Sequence, residues 1–211
     1  MKKFELTNEF VTNMFGTKLF RIRALVEFGD VEAGELGGYV EKESNLGHDD
    51  NAWVYDNARV YGDAQVSGDA LVCGNARVYG NARVYGDAQV SGDALVYGNA
   101  WVYGNAWVYG NAQVSGDARV CGDARVCGNG DYAYAHGFGS VNRTTTFFRL
   151  KDGGVGVRCG CFYGTLAQFR DKIRETHGET KKAQEYLMLA DLMELRFEED
   201  ENEVGNRKYV E

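Results

Sequence analysis

Valine alternates with polar and aromatic residues at a strict six-residue interval through the middle of the chain. From residue 51 to residue 128 the pattern Asn/Asp-Ala-x-Val-x-Gly occurs thirteen times, and only Asp56 replaces the final glycine. The alternation predicts short β-strands in which each valine points inward and its two neighbours point outward. A glycine at every sixth position excludes a helix, since each would cost about 1 kcal/mol in a helix interior. The segment is therefore predicted to form a β-solenoid.

The end of each hexad predicts a corner of the solenoid. Glycine followed by Asn or Asp accepts positive φ, and the small alanine that follows fits where the chain bends back over the interior. Three hexads make a coil of eighteen residues, and residues 39–50 look like two further, degenerate hexads. The array predicts four to five coils. Because the ends of so short a solenoid expose unpaired strand edges, both ends need caps.

The flanking segments lack the repeat and predict those caps. Two alternating stretches, 3–7 and 18–28, are typical of strands, and stretches 144–150 and 155–162 flank an Asp-Gly turn that favours a hairpin. Thr165 and Gln168 form the capping box of a helix that ends at Gly178. A second helix is predicted over about 180–198. The predicted organisation is an N-terminal β cap at 1–38, the solenoid at 39–130, and a C-terminal hairpin with two helices at 131–211.

The hexads resemble those of the hexapeptide-repeat left-handed β-helix superfamily, in which an aliphatic residue and a small residue four positions later point inward, as Val54 and Ala58 are expected to do. The resemblance implies left-handed winding and a tendency to form trimers. The predicted fold class is therefore mainly β, a single-stranded left-handed parallel β-helix with two caps. The whole chain, from GDVEAGELGGYVEKESNL through the hexads to NRTTTFF and CGCFYGTL, resembles uncharacterised hexapeptide-repeat proteins of bacteria and their phages. That wider resemblance implies no activity.

Composition narrows the classes of partner. The net charge of -8 and the isoelectric point near 5.0 make nucleic acid an unlikely partner and argue against an anionic membrane surface. No apolar stretch approaches the roughly 18 residues of a membrane span, so a cytoplasmic protein is predicted. Five cysteines, an odd number, favour reduced thiols over a disulfide framework.

Outward aromatic residues indicate a homo-oligomer, with a trimer expected. On an eighteen-residue coil Tyr61, Tyr79 and Tyr97 stack on one face, and exposed aromatic area usually marks a contact surface. The alternative is that aromatic ladders only stabilise the sheet by cross-strand stacking. The apolar second helix packs either on the hairpin or on another subunit. The predicted interface residues are Tyr61, Tyr79, Tyr97, Trp101, Trp107, Tyr186, Leu189 and Met193.

The segment from Asn142 to Thr146 concentrates hydroxyls and a guanidinium, a combination that holds anions. A small anionic ligand bound between subunits is predicted there, and a phage source would make sequestration of a host metabolite or signalling nucleotide, a counter-defence role, the expected function. The alternative is that the threonines serve only as strand formers. The predicted ligand-binding residues are Arg143, Thr144, Thr145, Thr146, Arg158 and His136.

Candidate catalytic and metal residues are few. The resemblance implies, for the acyltransferases of the superfamily, a general-base histidine between subunits, and only His136 or His48 lies close enough to the array to take that role. Cys159 and Cys161 form a single Cys-x-Cys pair without the second pair of a structural zinc site, and turn chemistry explains the corner aspartates. No metal and no cofactor are predicted. The predicted function is a non-enzymatic binding or scaffold protein; an acyltransferase-like enzyme and a structural component of a larger assembly are the alternatives.

Overall fold

A parallel β-solenoid of about five turns forms the centre of the molecule, in a computed structural model that describes residues 2–139 and 143–198. The N-terminal strands are β1 (Phe4–Thr12), β2 (Lys18–Ala24) and β3 (Leu36–Val40). The hexads form β4 (Trp53–Val54), β5 (Arg59–Val60), β6 (Gln65–Val66), β7 (Leu71–Val72), β8 (Arg77–Val78), β9 (Arg83–Tyr85), β10 (Gln89–Val90), β11 (Leu95–Val96), β12 (Trp101–Tyr103), β13 (Trp107–Val108), β14 (Gln113–Val114), β15 (Arg119–Val120) and β16 (Arg125–Val126).

Three parallel faces make up the solenoid, in the orders β3-β5-β8-β11-β14, β4-β7-β10-β13-β16 and β6-β9-β12-β15. Partners between strands of the hexads are eighteen residues apart, as Val84 and Val102 are, whereas partners between β3 and β5 are twenty apart. The valines and alanines of the hexads, residues 52–126, are at most 1% exposed and form one continuous core. Tyr39 and Val40 pair in parallel with β5, and Leu46 bridges Val66, so the degenerate hexads add the first rung. The predicted fold class, a mainly β parallel solenoid with two caps, is confirmed, and its left-handed winding stays a prediction.

The corners show why glycine recurs. Gly68 has φ +71°, a conformation that side chains with a Cβ rarely adopt, and a Cβ there would lie 2.8 Å from the amide nitrogen of Gly86 in the next coil. Neighbouring coils therefore approach too closely for any larger residue. Asn51 shows a second corner feature that the sequence did not reveal, because its side-chain amide donates to Oδ1 of Asp69 one coil on (2.7 Å). Similar ladder bonds join Asn75 to Asp93 and Asn99 to Asp117.

The N-terminal cap is an antiparallel extension of one solenoid face, in the order β1-β2-β3. It buries Trp53 completely, although that side chain occupies an outward position of its hexad, against the rings of Phe4 and Phe28 (centroids 6.2 and 5.3 Å away). The second predicted stretch, 18–28, ends as a strand earlier, at Ala24. Gly37 lies inside β3, and only glycine fits there because a Cβ would meet Trp53 and the backbone of the first hexad.

The C-terminal unit is a four-stranded antiparallel sheet with two helices. Its strands are β17 (Tyr132–Phe138), β18 (Arg143–Arg149), β19 (Val155–Cys159) and β20 (Phe162–Thr165), and its helices are α1 (Leu166–His177) and α2 (Lys181–Phe197). The prediction of a single strand over 155–162 was wrong, since Gly160 (φ +57°) and Cys161 make a two-residue hairpin turn there. Strand β17 was not predicted. The capping box at Thr165 and the second helix are confirmed.

This unit closes the end of the solenoid. The ring of Phe148 joins the solenoid core, the amide of Arg119 donates to Oγ1 of Thr146 (2.9 Å), and the amide of Lys151 donates to the carbonyl of Asp123 (3.0 Å). The exposed edge of the last coil is thereby paired and covered. Among the described helices, none is long and apolar enough to cross a membrane.

Candidate functional site

The predicted anion-binding residues lie on both faces of the C-terminal sheet. Successive side chains of a strand point to opposite faces, so Arg143 and Thr145 of β18 face one way and Thr144 and Thr146 the other. Arg158 pairs directly with Thr146 and shares its face, which lies against the solenoid. The helices cover the opposite face. The structure therefore does not bring the six predicted residues into one site, and Asn142 lies outside the described residues.

Two of the predicted threonines are buried and hold the fold together. Thr145 is 1% exposed and its hydroxyl donates to Sγ of Cys159 (3.2 Å). Thr146 is fully buried and its hydroxyl accepts the amide hydrogen of Arg119. For these two residues the structure favours the alternative interpretation, that threonine was selected for the strand and its packing.

Arg158 is half-buried between the sheet and the solenoid. Its guanidinium lies 6.0 Å from the centroid of the Tyr103 ring, and its buried Nε makes no hydrogen bond. Burial raises the pKa of Tyr103 far above its usual value, with a hydrogen bond to Cys121 adding to the shift. Burial likewise raises the pKa of Cys121, so this neighbourhood contains a neutral phenol and a neutral thiol. These contacts are typical of packing between the sheet and the solenoid.

The two candidate general-base histidines differ in their surroundings. His136 is exposed on β17, and its Nδ1 lies 2.9 Å from Oγ1 of Thr144. His48 stacks on the ring of Phe4 (centroids 4.4 Å apart), and its Nδ1 accepts the amide hydrogen of Lys3 (3.2 Å). His48 is thus a packing element of the N-terminal cap.

Arg143 borders a cleft on the helix-covered face of the sheet. The cleft has a volume of about 280 Å³ and lies between the sheet edge, α1 and the start of α2. Two further side chains that carry or can carry positive charge, Lys172 and His177 of α1, line it with Arg143. Its other lining residues are Cys159, Cys161, Phe162, Phe169, Ile173, Thr176 and Tyr186.

The floor of the cleft is a fixed aromatic cluster. Phe169 contacts Phe162 (centroids 5.4 Å apart) and meets Tyr186 edge to face (5.8 Å), and His177 stacks at 5.9 Å on Tyr186. The turn glycine Gly160 makes room for Arg143, because a Cβ there would collide with its guanidinium. The cleft therefore combines a rigid apolar floor with a cationic rim.

The sequence reasoning found only Arg143 among the cationic residues of this cleft. Phe169 and Ile173 lie on the buried face of α1. Lys172 lies three residues after Phe169, and Thr176 lies three residues after Ile173, so this spacing could have placed both beside that face. His177 was not among the predicted site residues. Its stacking on Tyr186 depends on how the two helices pack.

Comparison with known families concerns the solenoid. Segments 52–68, 64–78, 76–92, 88–104, 101–116 and 112–128 match a family model described as the YdcK beta-solenoid repeat. The array is similar to that repeat. The match supports the repeat architecture and includes none of the residues of the cleft. The comparison with curated proteins gave no match.

The part of the chain that the structure describes contains no group of three or more His, Cys, Asp or Glu residues that could hold a metal ion. Cys159 is half-buried and accepts from Thr145, whereas Cys161 is exposed in the hairpin turn. The two thiols therefore do not lie along one straight strand.

The outward aromatic residues form the predicted ladders. Tyr79 stacks almost coplanar between Tyr61 and Tyr97 (5.0 and 5.1 Å), which is the geometry expected of cross-strand stabilisation. Trp101 lies between the guanidinium groups of Arg83 and Arg119 (5.3 and 4.8 Å). A role of these residues, and of the exposed Trp107, in subunit contact stays a prediction.

The predicted interface residues of the second helix face inward. Tyr186 and Met193 are 3% and 8% exposed, and Leu189 is half-buried, all against the chain's own C-terminal core. For Tyr186 and Met193 the structure favours burial on the sheet, the other alternative that the sequence left open. The exposed apolar residues of α2 are instead Met188, Leu192 and Leu195.

Proposed function

We propose that this protein is a non-enzymatic binding scaffold whose C-terminal unit binds a small organic anion in the cleft beside Arg143. The observation that carries the proposal is the convergence of Arg143, Lys172 and His177 on one cavity of about 280 Å³. Lys172 and His177 lie on a helix, 29 and 34 residues after Arg143 of the strand, and the fold brings all three to the same rim.

The chemistry of the lining suits an anion attached to a flat apolar body. A guanidinium presents paired donors that match a carboxylate or phosphate. The rings of Phe162 and Phe169 offer an apolar surface, and the hydroxyl of Thr176 adds a polar contact at the rim. Ligand sites combine such apolar linings with a few placed polar groups.

The rim can adjust to a ligand. Lys172 pairs with Glu175 at 2.8 Å, but both side chains are more than half exposed, so this ion pair contributes little and is easily exchanged. The cavity lies just below the roughly 300–1,000 Å³ of drug-sized ligand sites. A ligand with one ring and one anionic group is therefore the expected size.

The solenoid gives the cleft a rigid support. Thr146 of β18 is hydrogen-bonded to the last coil, and the ring of Phe148 lies in the solenoid core. The sheet that carries Arg143 therefore has a fixed position on the solenoid. Sites built on strands and helices hold their geometry better than sites on loops.

Calorimetric titration with phenyl phosphate and with inorganic phosphate tests the proposal. We expect phenyl phosphate to bind more tightly, because only it contacts the aromatic floor. Arg143→Gln should weaken its binding by at least about tenfold, the loss expected for one charged hydrogen-bonded contact. Arg174→Gln is the matched control: Arg174 is an exposed arginine of α1, paired with Asp171, and it does not line the cleft.

Native mass spectrometry of the protein purified gently from its host adds an independent measurement. A stoichiometric extra mass that is lost in Arg143→Gln would support the proposal and give the ligand class. Absence of phenyl phosphate binding together with absence of any retained small molecule would overturn it, and would favour a structural component of a larger assembly.

A further inference from the structure

The second helix carries a second apolar face that points away from the molecule. Its inward face consists of Ala183, Tyr186, Ala190, Met193 and Phe197, all at most 8% exposed. Its outward face consists of Met188, Leu192 and Leu195, which are 71%, 53% and 67% exposed. Single exposed apolar residues are ordinary on a protein surface, but three in one row on one helix form a contiguous patch.

The spacing of the outward row is that of a coiled coil. Intervals of four and then three residues place Met188, Leu192 and Leu195 at d, a and d of a heptad. The inward residues Ala183, Ala190 and Phe197 then fall at f, opposite this seam. The two faces are therefore separate, and the outer one is free to receive another helix while the inner one stays packed on the sheet.

Charged residues beside the row select the partner and its direction. In the same heptad Asp191 takes a g position and Arg196 the following e position. Between parallel helices a g residue faces the e residue five positions later on the other helix, so Asp191 of one copy faces Arg196 of a second copy. Antiparallel helices would instead bring Asp191 of one copy towards Asp191 of the other, and the two carboxylates would repel each other. The charges are thus complementary between identical chains in parallel.

Both charged groups are accessible for such a contact. The Asp191 side chain is 70% exposed while it accepts from Arg170 (2.8 Å), so its carboxylate has room for a second donor. Arg196 is exposed and one of its nitrogens donates to the carbonyl of Asn129 (3.2 Å), which restrains the side chain near the seam. Restraint before binding lowers the entropy lost on association.

We infer that the outer face of α2 is a self-association surface, on which copies of this chain pack their second helices in parallel through Met188, Leu192 and Leu195. The helix is already ordered by its inner face, so the association does not have to fold it. Parallel packing sets the C-terminal units side by side. The inference does not depend on any ligand of the cleft.

Sedimentation velocity over a concentration series tests this surface. Wild type should associate reversibly, and Leu192→Lys should raise the dissociation constant by at least about tenfold, since it places a charge at the centre of the seam. Met14→Lys is the control, because Met14 is 83% exposed at the far hairpin of the N-terminal cap. We expect it to associate like wild type.

Charge variants test the direction of packing. Arg196→Glu should weaken association because it faces Asp191 with a like charge, and Arg196→Lys should retain most of it. Circular dichroism and thermal unfolding check that each variant is folded. The inference is overturned if wild type is monomeric throughout the series, if Leu192→Lys associates as strongly as wild type, or if Arg196→Glu has no effect.

Discussion

Asp69 and Asp87 occupy the same corner of the solenoid in neighbouring coils. Their strands pair in register, with Leu71 opposite Gln89, and the amide of Asp69 donates to the carbonyl of Gly86 (2.9 Å). One coil earlier at this same corner an asparagine donates to the residue one coil on, since the side-chain amide of Asn51 donates to Asp69. Two carboxylates in succession interrupt that ladder and place like charges together.

We expect Asp69→Asn to stabilise the protein at neutral pH by about 0.5 kcal/mol, because it removes the repulsion and supplies a donor to Asp87. Thermal unfolding at low salt measures the gain. Asp93→Asn is the control, since the corner residues on either side of Asp93, Asn75 and Asn111, are already asparagines. Equal stabilisation by both variants would contradict the ladder explanation.

The corner glycines give a second prediction. Gly68→Ala should destabilise the solenoid by about 2 kcal/mol, because alanine must adopt φ near +71° and its Cβ would meet the next coil at Gly86. Gly128→Ala should be nearly neutral, since Gly128 has φ -146° and nothing lies within 4 Å of a Cβ there. The melting temperatures of the two variants measure the effect. Similar decreases in both would show that backbone flexibility, and not steric contact between coils, explains why glycine recurs at the corners.

Trp53 should be the main anchor of the N-terminal cap. Trp53→Ala removes a fully buried ring from contact with Phe4 and Phe28, a change that costs about 3–5 kcal/mol in a protein core. Hydrogen exchange should accelerate in β1 to β3 and stay unchanged in the C-terminal sheet. Trp107→Ala, at a 42% exposed ring, should leave exchange in β1 to β3 unaffected.

The buried Lys3 should give the free energy of unfolding an unusual pH dependence. Burial lowers the pKa of Lys3 to about 8, although its ammonium donates to the carbonyls of Asp50 and Ala52. Below pH 8 the folded and unfolded states both carry the proton, and the fold bears the cost of the buried charge. Between pH 8 and 10.5 the folded state releases the proton first, so the free energy of unfolding rises with pH.

We expect that gain to reach about 2 kcal/mol by pH 9.5, since each unit of pKa difference corresponds to about 1.4 kcal/mol. Denaturant unfolding of wild type and of Lys3→Met at pH 7.5 and 9.5 measures it as the difference between the two proteins. The comparison is needed because burial raises the pKa of Cys73 and Cys121, so these thiols lower the free energy of unfolding in both proteins as pH rises through 9. Above pH 10 the sign reverses: burial raises the pKa of tyrosines such as Tyr61 and Tyr79, so the unfolded state loses its phenolic protons first. The same pH dependence in wild type and in Lys3→Met would contradict the assignment to Lys3.

The repeat made most of the fold predictable, whereas the terminal sheet was less so. Each hexad contains its own strand, corner and core residue, so local pattern and global fold agree thirteen times over. Strand β17 was missed because Tyr132–Phe138 includes small residues and a glycine that weaken the alternation. The turn at Gly160 was missed because a glycine inside an apolar run is equally compatible with a continuous strand.

The candidate site shows the same division between local pattern and long-range packing. Arg143 was identified from its own neighbours in sequence, and it does border the cleft. Arg158 and Thr146 were grouped with it because they are close along the chain, but strand alternation and pairing turn them towards the solenoid. Lys172 and His177 reach the same cleft only because α1 packs back across the sheet.

Solenoid, corners and core thus follow from the chain alone, because a six-residue period specifies interactions that recur at a constant separation of eighteen residues. Which side of the C-terminal sheet faces the solenoid, which face of α2 remains exposed and which cations share a cleft depend on contacts between elements that no short-range pattern relates. Those contacts arise only when the helices cover one face of the sheet and the solenoid covers the other.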